Sequence, residues 1–138
     1  LIDAFCGLGG NSLLRIWGRP QGQLPDSLNR RVERFPDMSD RIEWLPEYNN
    51  EEIVSKVFNM CDCIVVPSIW DENSPLVIHE AQQCSVPVIT ARHGGMGEYV
   101  VNGENGLTFK HRDMMSLKEA MQCALKDTTA FASLGLIC

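Results

Sequence analysis

The fold is decided by residues 63–90, CIVVPSIWDENSPLVIHEAQQCSVPVIT. The first part, Cys63–Val66, is a short apolar run that stops at Pro67, a pattern typical of a buried strand. Pro75–Cys84 is predicted to be a helix, because proline suits a first turn and apolar residues recur through the segment. The β-rich run Val86–Thr90 follows. The stretch therefore predicts a strand, a helix and a second strand.

The same alternation extends along the chain in both directions. Leu13–Trp17 and Arg41–Leu45 are predicted strands that end at turns, and Leu107–Phe109 is predicted to be the last strand. The predicted helices are a partial one over Leu1–Phe5, an exposed one over Gln23–Phe35, one capped by Asn50 with Ile53, Val54, Val57, Phe58 and Cys61 on one face, and one capped by Asp113 with Met114, Leu117, Met121 and Ala124 on one face.

Alternating strands and helices predict the α/β class, with a doubly wound, mostly parallel sheet that carries helices on both faces. The length suits one Rossmann-like domain over residues 1–138. Ligands of such sheets bind outside the carboxyl ends of the strands. That edge includes the turns at Gly18 and Pro46 and the segments Ser68–Ser74 and Arg92–Gly95. A strand is expected before the helix at Leu1, so the first strand of the fold is expected to be missing.

Composition narrows the function. The net charge of -6 argues against a nucleic-acid surface. The apolar runs are too short to span a bilayer and no signal peptide is recognised, so a cytoplasmic protein is expected. The cysteines lack metal-ligand spacing and are predicted to be small core residues. They are Cys6, Cys61, Cys63, Cys84, Cys123 and Cys138.

Two glutamates mark the candidate site. On a helical wheel for the predicted helix, Glu80 falls near Leu76, Val77 and Cys84, inside an apolar arc. A carboxylate in that position needs hydrogen-bond donors, either from the backbone or from ligand hydroxyls. Glu72 lies just before the helix, where a pocket is expected to open. Each glutamate also has an alternative without a ligand. Glu80 could be a structural carboxylate bound to the local backbone, and Glu72 could be a solvated loop acid.

The helix start adds a phosphate site. The first N–H groups of a helix that begins near Ser74-Pro75 are available to an anion, although Asn73 and Ser74 could instead cap the helix. Two carboxylates for hydroxyls and a helix N-terminus for phosphate together predict a nucleotide-sugar site. No D-x-D sequence is present, so no metal site is expected.

The order of motifs resembles the C-terminal domain of glycosyltransferase family 4, one half of the two-domain GT-B architecture. Glu72 and Glu80 match the spacing of the E-x7-E motif of that family. The flanking features in family order are Val66-Pro67-Ser68, Glu80-Ala81, Pro87-Val88-Ile89, Gly94-Gly95, Glu98 and Asn102-Gly103 through Asn105-Gly106-Leu107.

The resemblance implies roles for the site residues. Glu72 would contact the hydroxyls of the donor sugar and Glu80 those of the ribose. The backbone of Ser74, Pro75 and Leu76, with Asn73 beside it, would meet the diphosphate or the sugar. The turn after Leu45, with Pro46, Glu47 and Tyr48, would border the base. Gly18, in the turn after the first predicted strand, is a further candidate donor-binding residue.

The implied activity is retaining, metal-independent transfer from a UDP-, GDP- or ADP-linked sugar to an acceptor hydroxyl, with no cofactor. The donor-gripping Arg and Lys loop of the family would lie before Leu1, and the facing acceptor-binding N-terminal domain is absent from this chain. The chain alone is therefore expected to be inactive, and peripheral membrane association of the longer protein stays open. The alternatives are a non-catalytic nucleotide-sugar-binding or scaffolding module and a GT-B-type epimerase.

Overall fold

A computed structural model describes residues 1–18, 30 and 33–137. The described strands are all parallel to their neighbours and fall into two sheets. The first sheet pairs β1 (Leu14–Trp17) with β2 (Ile42–Leu45). The second has the order β3 (Ile64–Val66), β4 (Val88–Ala91) and β5 (Gly106–Phe109). The predicted α/β class with parallel strands is confirmed.

The helices alternate with these strands. In chain order they are α1 (Ile2–Cys6), α2 (Ile53–Lys56), α3 (Leu76–Gln83), α4 (Met96–Tyr99), α5 (Met114–Lys126) and α6 (Thr128–Leu134). Short 3-10 helices lie at Pro36–Arg41, Asn50–Glu52, Phe58–Met60 and Gly135–Ile137.

Strand β4 forms the centre of the core. All four of its residues are buried, as a continuous apolar run predicts for the middle strand of a parallel sheet. The one polar residue, Thr90, donates its hydroxyl to the carbonyl of Val66 on β3 at 3.1 Å. Burial of this hydroxyl is therefore compensated by a hydrogen bond between neighbouring strands.

A cavity of about 660 Å³ separates the two sheets. Leu14 and Ile16 of β1 line one side and Ile64 of β3 the other, with Phe5 and Met121 from the helices α1 and α5. Among the described residues, no strand pairs with the edges of β1 and β3 that line this cavity. An additional strand before α1, which the family resemblance implies, stays a prediction.

The helix expected after Asn50 differs from its prediction. Asn49, not Asn50, is the N-cap, and the 3-10 turn at Asn50–Glu52 leads into a helix of four residues, α2. The helix ends at Val57, where φ is -117° and ψ is -68°, and Val57 and Phe58 are both buried. Val54, predicted on the apolar face, is 46% exposed.

Helix α5 confirms its predicted cap. Asp113 accepts a hydrogen bond from the backbone N–H of Ser116 at 3.0 Å. Leu117, Met121 and Ala124 are buried as predicted. Met114 is exposed, because it is the first helical residue and its side chain points back past the N-terminal end of the helix.

The helix predicted over Gln23–Phe35 and the predicted burial of the cysteines are only partly covered by the described residues. The helix predicted over Gln23–Phe35 falls mostly outside the described residues, and residues 33–35 are not helical. Cys6 is buried, but Cys123 is exposed on α5, because it follows the buried Met121 by two residues and so turns away from the sheet. Cys138 lies outside the described residues.

Candidate functional site

The candidate residues lie in the loops that follow the carboxyl ends of the strands. Gly18 follows β1, Pro46–Tyr48 follow β2, and the segment with Glu72 follows β3. The loop after β4 contains Gly94 and Gly95. This is the edge at which parallel α/β sheets bind their ligands.

The glycine pair after β4 packs directly on the backbone around Glu72. The N–H of Gly95 donates to the carbonyl of Glu72 at 2.7 Å. A Cβ at Gly95 would lie 1.6 Å from the carbonyl oxygen of Asn73, and Gly94 has a φ of +53°. Only glycines allow this approach, so the pair fixes where the backbone of Glu72 runs.

The carboxylate of Glu72 is half-buried. Its Oε1 accepts a hydrogen bond from Ser68 Oγ at 3.2 Å, and the same hydroxyl accepts from the backbone N–H of Trp70. Within the described part of the chain, no other residue donates to this carboxylate. Glu72 is thus oriented by a neutral donor and keeps acceptor capacity for a ligand.

The start of α3 is open. Pro75 is the N-cap, and no side chain caps the helix. Ser74 Oγ lies 2.9 Å from His79 Nε2, while Asn73 and Leu76 are exposed. The alternative in which Asn73 or Ser74 caps the helix is therefore not observed, and the first N–H groups of α3 face the sheet edge without a side-chain partner.

Glu80 does not lie in the buried arc that the helical wheel predicted. The fully buried residues of α3 are Ile78 and Ala81, and Leu76 is exposed, because the helix packs on the sheet through its opposite side. Glu80 is half-buried at the margin of this face. Its Oε1 accepts a hydrogen bond from Asn50 Nδ2 at 3.4 Å.

The phenol of Tyr48 lies in the electric field of Glu80. The pKa of Tyr48 is raised, first by its partial burial and then by the negative charge of the Glu80 carboxylate. The hydrogen bond between Asn50 and Glu80 places the turn after β2 beside helix α3. Tyr48 and Glu80, predicted from separate elements, are therefore brought together.

An open cavity of about 850 Å³ lies beside this pair. Three of the predicted residues, Gly18, Glu47 and Tyr48, line it. The other lining residues are Trp17, Asn49, Asn50, Glu52 and Lys56. Pro46 is exposed and is not part of the lining, because it directly follows the strand and the chain turns into the cavity only after it.

A histidine pair, His93 and His111, lies next to the segment that contains Glu72. His93 pairs with Asp71, and its ring stacks on that of His111 with centroids 3.9 Å apart. Burial lowers the pKa of His111, and His93 and Arg112 lower it further. No sequence signal pairs His93 with His111, because their contact depends on the adjacency of β4 and β5.

The described residues hold no group of three or more His, Cys, Asp or Glu side chains that could bind a metal ion. No helix among them is both long and apolar enough to cross a membrane.

The model of the family described as glycosyl transferases group 1 matches residues 1–134. The chain belongs to this family. Relatives in the family include a D-inositol 3-phosphate glycosyltransferase of Mycolicibacterium smegmatis, 35% identical over 117 residues. That match covers 83% of this chain and 26% of the relative. The present chain therefore spans about a quarter of the length of the curated relatives it matches.

Solved structures share the fold. The structure of Anabaena HepE in complex with UDP-glucose matches with a TM-score of 0.87 at 23% identity, over 99% of this chain and 37% of that one. Sucrose-phosphate synthase from Thermosynechococcus elongatus matches with a TM-score of 0.84 at 26% identity, over 97% and 34%. These likenesses confirm the α/β fold as that of GT-B glycosyltransferases.

Proposed function

We propose that this chain is the C-terminal, donor-binding half of a retaining glycosyltransferase of family 4, which binds a UDP-, GDP- or ADP-linked sugar without a metal or cofactor. One observation carries the proposal. Two half-buried carboxylates, Glu72 and Glu80, lie at the carboxyl edge of the strands, and each is held by one neutral donor. Such carboxylates can accept hydrogen bonds from the hydroxyls of a sugar and a ribose.

The open start of α3 supports a diphosphate site between them. Glu72 precedes this helix and Glu80 lies within it, so a ligand that touches both passes the helix N-terminus. The N–H groups and the helix dipole favour negative charge at this point. A nucleotide-sugar ligand is also consistent with the structural neighbour HepE, whose structure was solved in complex with UDP-glucose.

In the proposed reaction the diphosphate leaves the anomeric carbon while the acceptor hydroxyl attacks from the same face. The proton of that hydroxyl passes to the leaving phosphate, so no general base is assigned here. Glu72 orients the sugar, and the backbone of Ser74, Pro75 and Leu76, with Asn73 beside it, stabilises the charge that develops on the diphosphate. The contribution of this chain is positioning and electrostatic stabilisation.

The proposed partners follow from this division of labour. An acceptor-binding N-terminal domain would face the carboxyl edge and supply the acceptor hydroxyl. Peripheral membrane association of the longer protein and a cytoplasmic location stay predictions.

The assignment of Glu72 is tested by Glu72→Gln, assayed for glycosyl transfer in the protein that also carries the acceptor-binding half. We expect turnover to fall about 100-fold, because a donor sugar that is no longer aligned reacts slowly. The stability of the fold should change little. Glu119→Gln, an exposed change on α5, is the matched control and should leave turnover unchanged. Near-normal turnover of Glu72→Gln would contradict the proposal.

A further inference from the structure

A single long-range hydrogen bond holds the carboxylate of Glu80. Asn50 Nδ2 donates to Glu80 Oε1 at 3.4 Å across a sequence separation of 30 residues. Among the described residues no other group donates to Glu80. The direction of this carboxylate therefore depends on Asn50.

Asn50 is presented by a turn that is fixed independently of Glu80. The backbone N–H of Glu52 donates to the carbonyl of Asn49 at 2.8 Å, and Asn49 N–H donates to the carboxylate of Glu52 at 3.2 Å. Lys56 forms an ion pair with the same carboxylate at 2.8 Å. The amide of Asn50 is thus mounted on a closed local network and points across to α3.

The chemistry of the pair suits a diol. A carboxylate has about four acceptor positions, and one bond from Asn50 leaves the second oxygen and part of the first available. A neutral amide orients the carboxylate without cancelling its charge, whereas a lysine or arginine at this position would neutralise it. The nearby cation, Lys56, is engaged by Glu52. Glu80 consequently keeps acceptor positions for a ligand and has a defined direction.

We infer that Asn50 is a positioning residue, which orients Glu80 so that its carboxylate accepts hydrogen bonds from the vicinal hydroxyls of the ribose of a bound nucleotide. The inference rests on the proposed function. Asn50 itself contacts Glu80 and acts through it. The Nδ2–Oε1 distance is 3.4 Å, and the bond joins the turn after β2 to helix α3.

The test measures how well the protein distinguishes ribose from a sugar without hydroxyls. UDP, GDP and ADP are each compared with their 2′,3′-dideoxy forms, with dissociation constants from NMR titration. The unaltered protein is expected to prefer the ribose form by about 10-fold or more, the usual worth of hydrogen bonds to a charged group. Asn50→Ala should reduce this preference about threefold or more while affinity for the dideoxy form stays unchanged.

Two further variants sharpen the result. Asn50→Asp keeps the size of the side chain but places a second negative charge beside Glu80, and it should reduce the preference further than alanine does. Glu51→Ala, an exposed neighbour on the same turn, is the control and should keep the full preference. In a Glu80→Gln background, Asn50→Ala should have no additional effect, because the two residues act as one unit.

The outcomes separate the two proposals. An unchanged preference in Asn50→Ala, with a reduced preference in Glu80→Gln, overturns the role of Asn50 and leaves the donor site standing. An equal loss of both affinities in Asn50→Ala indicates a purely structural residue and also overturns the role. Absence of binding by the unaltered protein to all three nucleotides overturns both the role of Asn50 and the proposed function.

Discussion

At the scale of single residues, the site depends on how two carboxylates are held. Ser68 and Asn50 each provide one neutral hydrogen bond, to Glu72 and Glu80 respectively. Tyr48 reports on the second of these, since its pKa responds to the charge of Glu80. The phenol is therefore a probe of the site that needs no ligand.

We predict that Glu80→Gln lowers the pKa of Tyr48 toward 10, the ordinary value. Part of the elevation should remain, because burial is its larger cause. Ultraviolet titration of tyrosinate measures the pKa, and Tyr48→Phe identifies which of the two tyrosines titrates. A Tyr48 pKa that does not fall in Glu80→Gln would contradict the described geometry.

The raised pKa of Tyr48 also predicts how the free energy of unfolding depends on pH. Because Tyr48 holds its proton more tightly in the folded chain than in the unfolded chain, its contribution to stability is complete below pH 10. That contribution is lost as the pH rises through the folded pKa. Tyr48→Phe should therefore remove part of the loss of stability in alkali, measured by urea unfolding at several pH values. If the free energy of unfolding of Tyr48→Phe falls with pH as steeply as that of the unaltered chain, the contribution of Tyr48 is contradicted.

The residue spacing predicted Glu72 and Glu80 but could not predict the partner of Glu80. Asn50 lies 30 residues from Glu80, and Asp71 lies 22 from His93. Such contacts depend on how strands order in the sheet, which a single sequence does not state. The wheel placed Glu80 in the buried arc because it counted apolar neighbours, whereas the helix packs through Ile78 and Ala81.

At the scale of elements, the glycine loop after β4 and the loop after β3 act as one unit. Gly95→Ala places a methyl group 1.6 Å from the carbonyl of Asn73, so one backbone must move. We expect a loss of about 1–3 kcal/mol in the free energy of unfolding, the usual cost of overpacking. Urea unfolding measures it. Gly9→Ala, which meets no atom within 4 Å, is the matched control, and equal stability of the two variants would refute the close packing.

The cap of α5 gives a second prediction at this scale. The hydrogen bond from the backbone of Ser116 holds the pKa of Asp113 below its ordinary value. Its stabilising contribution is present above the unfolded pKa, near 3.8, and is lost as the pH falls through the folded pKa. Asp113→Asn, which retains a capping oxygen, should show a flatter acid dependence of Tm than the unaltered chain, and Glu119→Gln should not. If Tm falls with acid identically in Asp113→Asn and in the unaltered chain, the Asp113 cap does not contribute to the acid dependence of stability.

The strands were predictable to within about two residues, since apolar runs bounded by Pro and Gly carry the signal. Helix α4 was not predicted, because its four residues, Met96–Tyr99, begin directly after two glycines and are too few to show a period. The break at Val57 was likewise invisible, because Ile53, Val57 and Phe58 fit helical spacing whether or not the helix continues.

At the scale of the whole molecule, the candidate site joins the two sheets. The cavity lined by Gly18 and Tyr48 belongs to the β1–β2 side, and Glu80 and Glu72 belong to the β3–β5 side. The bond between Asn50 and Glu80 connects the two sides at the ligand edge. A ligand that contacts both sides should therefore stabilise their arrangement as well as bind.

The most direct test of the donor site is an NMR titration of this chain with UDP-glucose, GDP-mannose and ADP-glucose at millimolar concentrations. We predict that at least one ligand shifts backbone signals of Tyr48, Asn50, Glu72, Leu76 and Glu80, and that Glu80→Gln weakens its affinity about 10-fold or more. Absence of shifts with all three ligands, or shifts confined to residues away from the carboxyl edge, would contradict it.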